Sequence, residues 1–293
     1  MPDKQITEKQ HYVPQVYLQG FSQDGSTIYE YNLKKGAPIK VPVSMESVCI
    51  ERLLYEVKDE NGEIYNANFL EDTLCGFEGE FGSFKRQLLR KVREDNFETN
   101  CFLSHEEKLF WTFYSTVQIM RNPVTLQGTK AILREALPPE ITDSDTYSLA
   151  LAYCLPFFKE PSEKDLNPFV LFLMALRSKV LSVGFARKDN LLTSDRAVFG
   201  TREKNMHYDF TALWIPITSN CGLLYRDRRT VERTQRNKLI PLSDERVREL
   251  NKGMAFKADQ MILSKYPFRD DDIALIEEAR MEQDKTEQRS AKK

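Results

Sequence analysis

Hydrophobic and polar positions divide the chain into strand-like ends and a helical middle. From His11 to Val57 the pattern favours strands. Thr27-Ile28-Tyr29-Glu30-Tyr31-Asn32-Leu33 alternates with period two between the turn Gln23-Asp24-Gly25-Ser26 and the turn Lys35-Gly36. Leu53–Val57 and Glu63-Ile64-Tyr65 flank Asp59-Glu60-Asn61-Gly62, a hairpin signal. From Asn68 to about Arg93 the apolar residues recur at threes and fours, as on a helix with one buried face. Gly76, Gly79 and Gly82 within it suggest a bend or a close crossing.

Ser104-His105-Glu106-Glu107 is a capping box, and the helix that it opens runs until Pro123 interrupts it. Further helices are expected from Val124 to Leu137, from Asp143 to Phe158 and from Ser162 to Leu176. Strand chemistry returns at Lys179–Ala186, Leu191–Asp195, Ala212–Ile217 and Gly222–Tyr225. Ser243 then caps a helix that runs to Met254 or beyond. Strands bracketing a helical middle imply one α+β domain, its N- and C-terminal strands sharing a mostly antiparallel sheet with the helices packed on it. The expected limits are a flexible lead over 1–10, a domain over 11–264, and a C-terminal helix with a frayed tail over 265–293.

Composition narrows this picture only in places. Of 293 residues, 41% are hydrophobic, enough for a sizeable core, and 18 Phe with 12 Tyr promise an aromatic interior. A net charge of −2 provides no overall field for nucleic acid or an anionic membrane. The five cysteines are widely spaced without a Cys-x-x-Cys pair, which argues for free thiols rather than disulfides or a zinc knuckle. The polar N-terminus lacks a signal-peptide core, and Pro168–Leu176 is about half the length of a membrane span. A cytoplasmic protein without membrane contact is therefore expected.

The run His11-Tyr-Val-Pro-Gln-Val-Tyr-Leu-Gln-Gly-Phe21 resembles the opening signature of the family known as domain of unknown function 4238. The resemblance extends through Glu71 and Glu78, the segment Gln118-Ile-Met-Arg-Asn-Pro123, Leu192-Thr-Ser-Asp195, Ile215-Pro-Ile-Thr-Ser219 and Val247-Arg-Glu-Leu-Asn251. It covers roughly residues 11 to 264. Arg196-Ala197 stands where the family commonly has Asn-Pro, and Thr218 where it has Ser. The resemblance implies neither substrate nor cofactor.

Several of these residues are candidates for chemistry. His11, stiffened by Pro14, is a general base, acid or metal ligand in one reading; in the other its ring bonds a buried carbonyl and locks the N-terminal strand. Asp195 ends a strand, a favoured place for acid–base or metal work, or it caps a turn. Glu71 and Glu78, seven apart, share a helix face; an inward Glu71 needs a partner, for which Arg121 is the obvious cation. Asn251, unfavourable in mid-helix, either orients a substrate, bridges Asp195 or faces solvent. His105 reads as a helix-start residue, and His207 beside Met206 and Tyr208 is a weaker candidate.

Arg226–Lys238 holds six basic and two acidic residues, with Arg228, Arg229 and Arg233 able to grip phosphate, or simply solvated. No Walker A loop, Gly-x-Gly-x-x-Gly, His-Glu-x-x-His or Gly-x-Ser-x-Gly is present. Two functions remain open, and the convergence of polar residue types from separate segments makes the first, a phosphoester hydrolase or nuclease-like enzyme, the preferred one. In the first, His11, Asp195 and Glu71, with Arg121 as electrophilic helper, hydrolyse a phosphoester, with a divalent metal possible and nucleic acid or a phosphorylated ligand on the basic segment. In the second, the same residues form a buried network in a non-catalytic binding or interaction module.

Overall fold

The computed structural model describes residues 6–58, 61, 63–65, 67–95, 97, 99–158, 167–202 and 210–291. Among these, eight α-helices and fourteen strands form a single α+β arrangement. The N-terminal part contributes β1 (Lys9–His11), α1 (Gln15–Leu18), β2 (Thr27–Asn32), β3 (Ala37–Pro38), β4 (Val43–Ser44), β5 (Ile50–Arg52), β6 (Val57–Lys58) and β7 (Ile64–Tyr65). The helical middle is α2 (Phe69–Glu94), α3 (His105–Met120), α4 (Pro123–Ala136), α5 (Asp143–Cys154) and α6 (Pro168–Arg177). Then follow β8 (Val180–Ala186), β9 (Thr193–Ser194), β10 (Phe199–Arg202), β11 (Phe210–Thr218), β12 (Cys221–Arg226), β13 (Leu239–Leu242), α7 (Asp244–Lys257), β14 (Met261–Ser264) and α8 (Asp270–Ala291).

Two larger sheets organise these pieces. One has the order β10-β11-β12-β8-β13, antiparallel except where β13 runs parallel to β8. The other has the order β3-β2-β14-β9. In it Tyr31 pairs with Ile262 and Glu30 with Leu263, so strands from the two ends of the chain share a sheet, as the pattern implies. The smaller pairs are β1 with β5 and β6 with β7.

The aromatic composition is used mainly between α2 and α3. Phe84 stacks on Phe110 at 3.8 Å and Phe81 on Tyr114 at 4.3 Å between ring centroids, and Trp111 meets Phe81 edge-on. Such offset and edge contacts add to the burial of the rings themselves. The capping box is present: the Ser104 side chain accepts from the Glu107 N–H, and the Glu107 carboxylate accepts from the Ser104 N–H. Glu107 also holds Lys91 of α2 at 2.7 Å, so one residue both starts α3 and ties it to its neighbour.

Several expectations need correction. The strand-like reading of His11–Val57 misses α1 and the 3₁₀ turn after it, because the apolar spacing in Val16-Tyr17-Leu18 suits either geometry. Leu53–Tyr55 is a turn, with Leu53 at a positive φ of 54°, and the hairpin strands are short. Gly76 and Gly79 mark no close crossing, whereas Gly82 is buried and faces Val16 of α1, whose Cγ2 would lie 3.4 Å from a Cβ there. The helix runs unbroken over 26 residues, and nothing lies within 4 Å of a Cβ at Gly76 or Gly79. Lys9 and Gln10 belong to β1, and α8 continues to Ala291. Three cysteines, Cys49, Cys154 and Cys221, are buried, while Cys75 and Cys101 are exposed; all five are free thiols. No helix among the described residues is long and apolar enough to cross a membrane.

Candidate functional site

The segment His11–Phe21 lies where the two ends of the chain meet the helical middle. Pro14 leads into α1, and Gly20 then runs so close to β11 that a Cβ there would sit 2.4 Å from the carbonyl oxygen of Ile217. The Gly20 carbonyl accepts from the Ser219 N–H at 3.0 Å, and the Tyr17 hydroxyl bonds Thr193 Oγ1 at 2.7 Å. A single short segment thereby touches β9 and β11.

Arg121, at the C-terminal end of α3, is only 2% exposed. Its Nε donates to the Tyr55 hydroxyl at 3.0 Å, its Nη1 to Glu78 at 2.8 Å, and its Nη2 to the carbonyl of His11. The expected partner was Glu71; the ion pair forms instead with Glu78, two turns further along α2. Glu71 stays close enough to feel the guanidinium, but its buried Oε2 has no hydrogen-bond partner. Burial pushes the Glu71 carboxyl up to about 7, against the opposing pull of Arg121.

The His11 ring is half-buried. Its Nε2 lies 3.3 Å from the carbonyl oxygen of Met45 and 3.4 Å from Gln15 Nε2. An N–H on that nitrogen donates to the carbonyl and leaves Nδ1 as an acceptor. Burial lowers the imidazole's pKa, which keeps it neutral at pH 7. The charges acting on it are those of Glu78, Arg121 and Glu46.

Asp195 has different surroundings. It is 2% exposed, and its two carboxylate oxygens accept from the N–H groups of Asp259 at 3.0 Å and Gln260 at 2.6 Å. Burial lifts it to about 6, although those two donors act the other way. It therefore holds the chain between α7 and β14 against β9. Among the described residues no hydrogen bond joins it to His11, and its charge acts on the neighbouring Tyr12 hydroxyl instead.

Asn251 does not reach Asp195 either. Its Oδ1 accepts from the Leu192 N–H at 2.9 Å and its Nδ2 donates to the Asn190 carbonyl at 2.8 Å, which accounts for an Asn in the middle of α7. Two further bonds follow the same rule: Gln118 Nε2 donates to the Tyr12 carbonyl and Asn122 Nδ2 to the Asp195 carbonyl, each at 2.9 Å. The last two had a sequence signal. Gln118, Arg121 and Asn122 are polar positions spaced three and four apart at the end of an apolar helix, and so share one face. Nothing in the sequence marks Tyr55, or the buried Glu56 that accepts from Gln10 at 2.7 Å.

The basic segment lies elsewhere. Asn237 at its end is bonded through both side-chain polar atoms to the backbone of Leu103, just before α3, whereas His11 sits at the far end of that helix. Sixteen helical residues separate these points by about 24 Å. Arg229 forks onto Asp227 at 2.9–3.0 Å, and Arg228 and Arg233 are exposed. The segment does not converge with His11, Glu71 and Arg121. His207 falls outside the described residues. Among the described residues, no group of three or more His, Cys, Asp or Glu side chains is arranged to hold a metal ion.

One cleft of about 1020 Å³ opens beside these elements, between the end of α3, α4, α6, β10, β11 and α7. Asn122 and Arg196 line it, so it lies next to the Asp195 turn while the Asp195 carboxylate points away into the backbone of 259–260. No curated protein and no solved structure matches the chain. The family described as a protein of unknown function, domain of unknown function 4238, matches residues 9–267 of the 293. That span takes in β1 through β14 and every signature segment, and the chain belongs to this family.

Proposed function

We propose that this protein is a non-catalytic binding module, in which the family's signature side chains wire the fold together and leave the adjacent cleft to a ligand. One observation carries the reading. Gln118, Arg121, Asn122, Asp195 and Asn251 all direct hydrogen bonds to the backbone of another part of the fold. Groups so committed are poorly placed to follow a reacting substrate, and each satisfied pair contributes about 0.5–3 kcal/mol to stability, more for charged partners.

A second reading rests on Glu71. A carboxyl held near 7, with an unpartnered oxygen and a part-exposed imidazole in the same region, suits general acid–base hydrolysis of a phosphoester. It lacks a nearby cation with donors to spare, since Arg121 is enclosed and bonded at all three nitrogens.

The test compares wild type with His11→Ala, Glu71→Gln, Asp195→Ala and Arg121→Met. Each is assayed on DNA, RNA and simple phosphoesters with Mg²⁺, Mn²⁺ or Zn²⁺, and each is melted. The module reading expects no turnover by the wild type. It also expects a loss of about 1–3 kcal/mol in Asp195→Ala, where two buried N–H donors lose their acceptors, and more in Arg121→Met, which strands Glu78. Turnover by the wild type that vanishes in His11→Ala or Glu71→Gln, with a cooperative melt no lower than that of wild type, establishes the enzyme reading instead.

A further inference from the structure

We propose that the cleft beside Asn122 takes a small amphiphile with an apolar body and one anionic head, and that Arg196 receives the head. The inference rests on the binding-module reading and adds the chemistry of the ligand. A volume of about 1020 Å³ suits a small molecule, and most of the lining is apolar, including Met120, Val124, Phe172, Val198 and Phe256. Ile132, also on the wall, is 70% exposed and adds to the apolar surface that the cleft offers.

Charge decides the head group. The two carboxylates on the lining are already bonded: Glu282 to Lys252 at 2.7 Å and Glu249 to Arg246 at 2.7 Å. Arg196 lines the cleft as well. Among the described residues no hydrogen bond or ion pair engages its guanidinium, and its Nε is shielded from solvent without a partner. Lys252 and Lys257 line the cleft too, but Lys252 is held by Glu278 and Glu282, and Lys257 lies 5.2 Å over the Phe256 ring. A planar fork in a partly desolvated site prefers a carboxylate or a phosphate. An ammonium head would meet the Arg196 charge with no unpaired carboxylate on the lining to balance it.

The wall of the cleft at Phe199 can be altered by substitution without touching Arg196. The Phe199 ring rests on the bare backbone of α7 at Gly253, where an added Cβ would come within 2.4 Å of the ring. Gly253→Ala must therefore displace Phe199, and both residues line the cleft.

Calorimetry on the full chain with decanoate, decyl phosphate, decanol and decylamine, below micelle-forming concentrations, tests the proposal. Binding of at least one anion at a single site is expected, with decylamine weaker by about tenfold or more. Arg196→Ala should reduce the affinity for that anion to about that of decanol while leaving decanol unchanged, and Gly253→Ala should weaken both. The tighter anion of the two identifies the head as carboxylate or phosphate. No binding by a folded wild type, equal binding of the amine, or an unaltered anion affinity in Arg196→Ala overturns the proposal. Hydrolysis of decyl phosphate would remove the non-catalytic reading and leave the assignment of the anion to Arg196 standing, so the two failures are distinct.

Discussion

At the scale of single residues, Glu71 is the least settled group in the signature region. Burial raises its carboxyl from 4.5 to about 7, so the folded chain holds a proton there that the unfolded chain releases earlier. The sign follows directly. Between about pH 4.5 and 7 the folded state binds more protons than the unfolded state, and stability from this group falls as pH rises through that window. Glu71→Gln removes the ionisable group and should flatten the fall. Since Glu71 is only partly enclosed, the gain at pH 8 is discounted to about 1 kcal/mol, or a melting temperature about 2–4 °C above wild type. At pH 4 the two proteins should melt together. Equal melting temperatures at pH 8 would show that the carboxylate already has its full complement of solvent.

At the scale of elements, the 3₁₀ turn that ends the signature segment depends on Gly20. An alanine there would put its Cβ 2.4 Å from a β11 backbone oxygen, which no side-chain rotation can relieve. Gly20→Ala should therefore force α1 away from β11, stretch the Tyr17–Thr193 bond and lower stability by about 2 kcal/mol or more. Gly25→Ala makes a useful contrast, because only its φ of +79° is strained and nothing lies near its Cβ. The smaller loss must belong to Gly25→Ala, and a reversed order in denaturant melts would refute the close-approach account. The helices were legible in the sequence because α2, α3 and α7 carry a continuous apolar stripe, and Ser104 and Ser243 mark starts. Short strands such as β13 and β14 were not, since four residues hold too little periodicity. The candidate residues were legible by type, but their partners were not. Arg121 chooses Glu78 over Glu71 through three-dimensional packing that spacing on one helix leaves open.

At the scale of the whole molecule, the sheet β3-β2-β14-β9 can close only after nearly the entire chain has been made. β14 joins β2 across more than two hundred residues, so its stability depends on what packs behind it. That role falls to α8, which begins beyond the stretch matched by the family. Leu275, Ile276 and Ala279 of α8 are buried in the same cluster as Tyr31 of β2, Leu192, Ala255 and Ala258 of the α7 end, and Ile262 of β14. Arg280 donates to the Ala258 carbonyl at 2.9 Å, and Lys252 of α7 is held by Glu278 and Glu282. A chain ending at Arg269 loses the burial of these three side chains, about 3–5 kcal/mol, which is a large share of the stability of an ordinary domain. It should melt roughly 10 °C lower, with faster amide exchange in β14 and in the last turns of α7 and little change between α2 and α3. Uniform acceleration across the molecule would mean that α8 supports the fold as a whole, and an unchanged melt would mean that β14 holds to β2 without it.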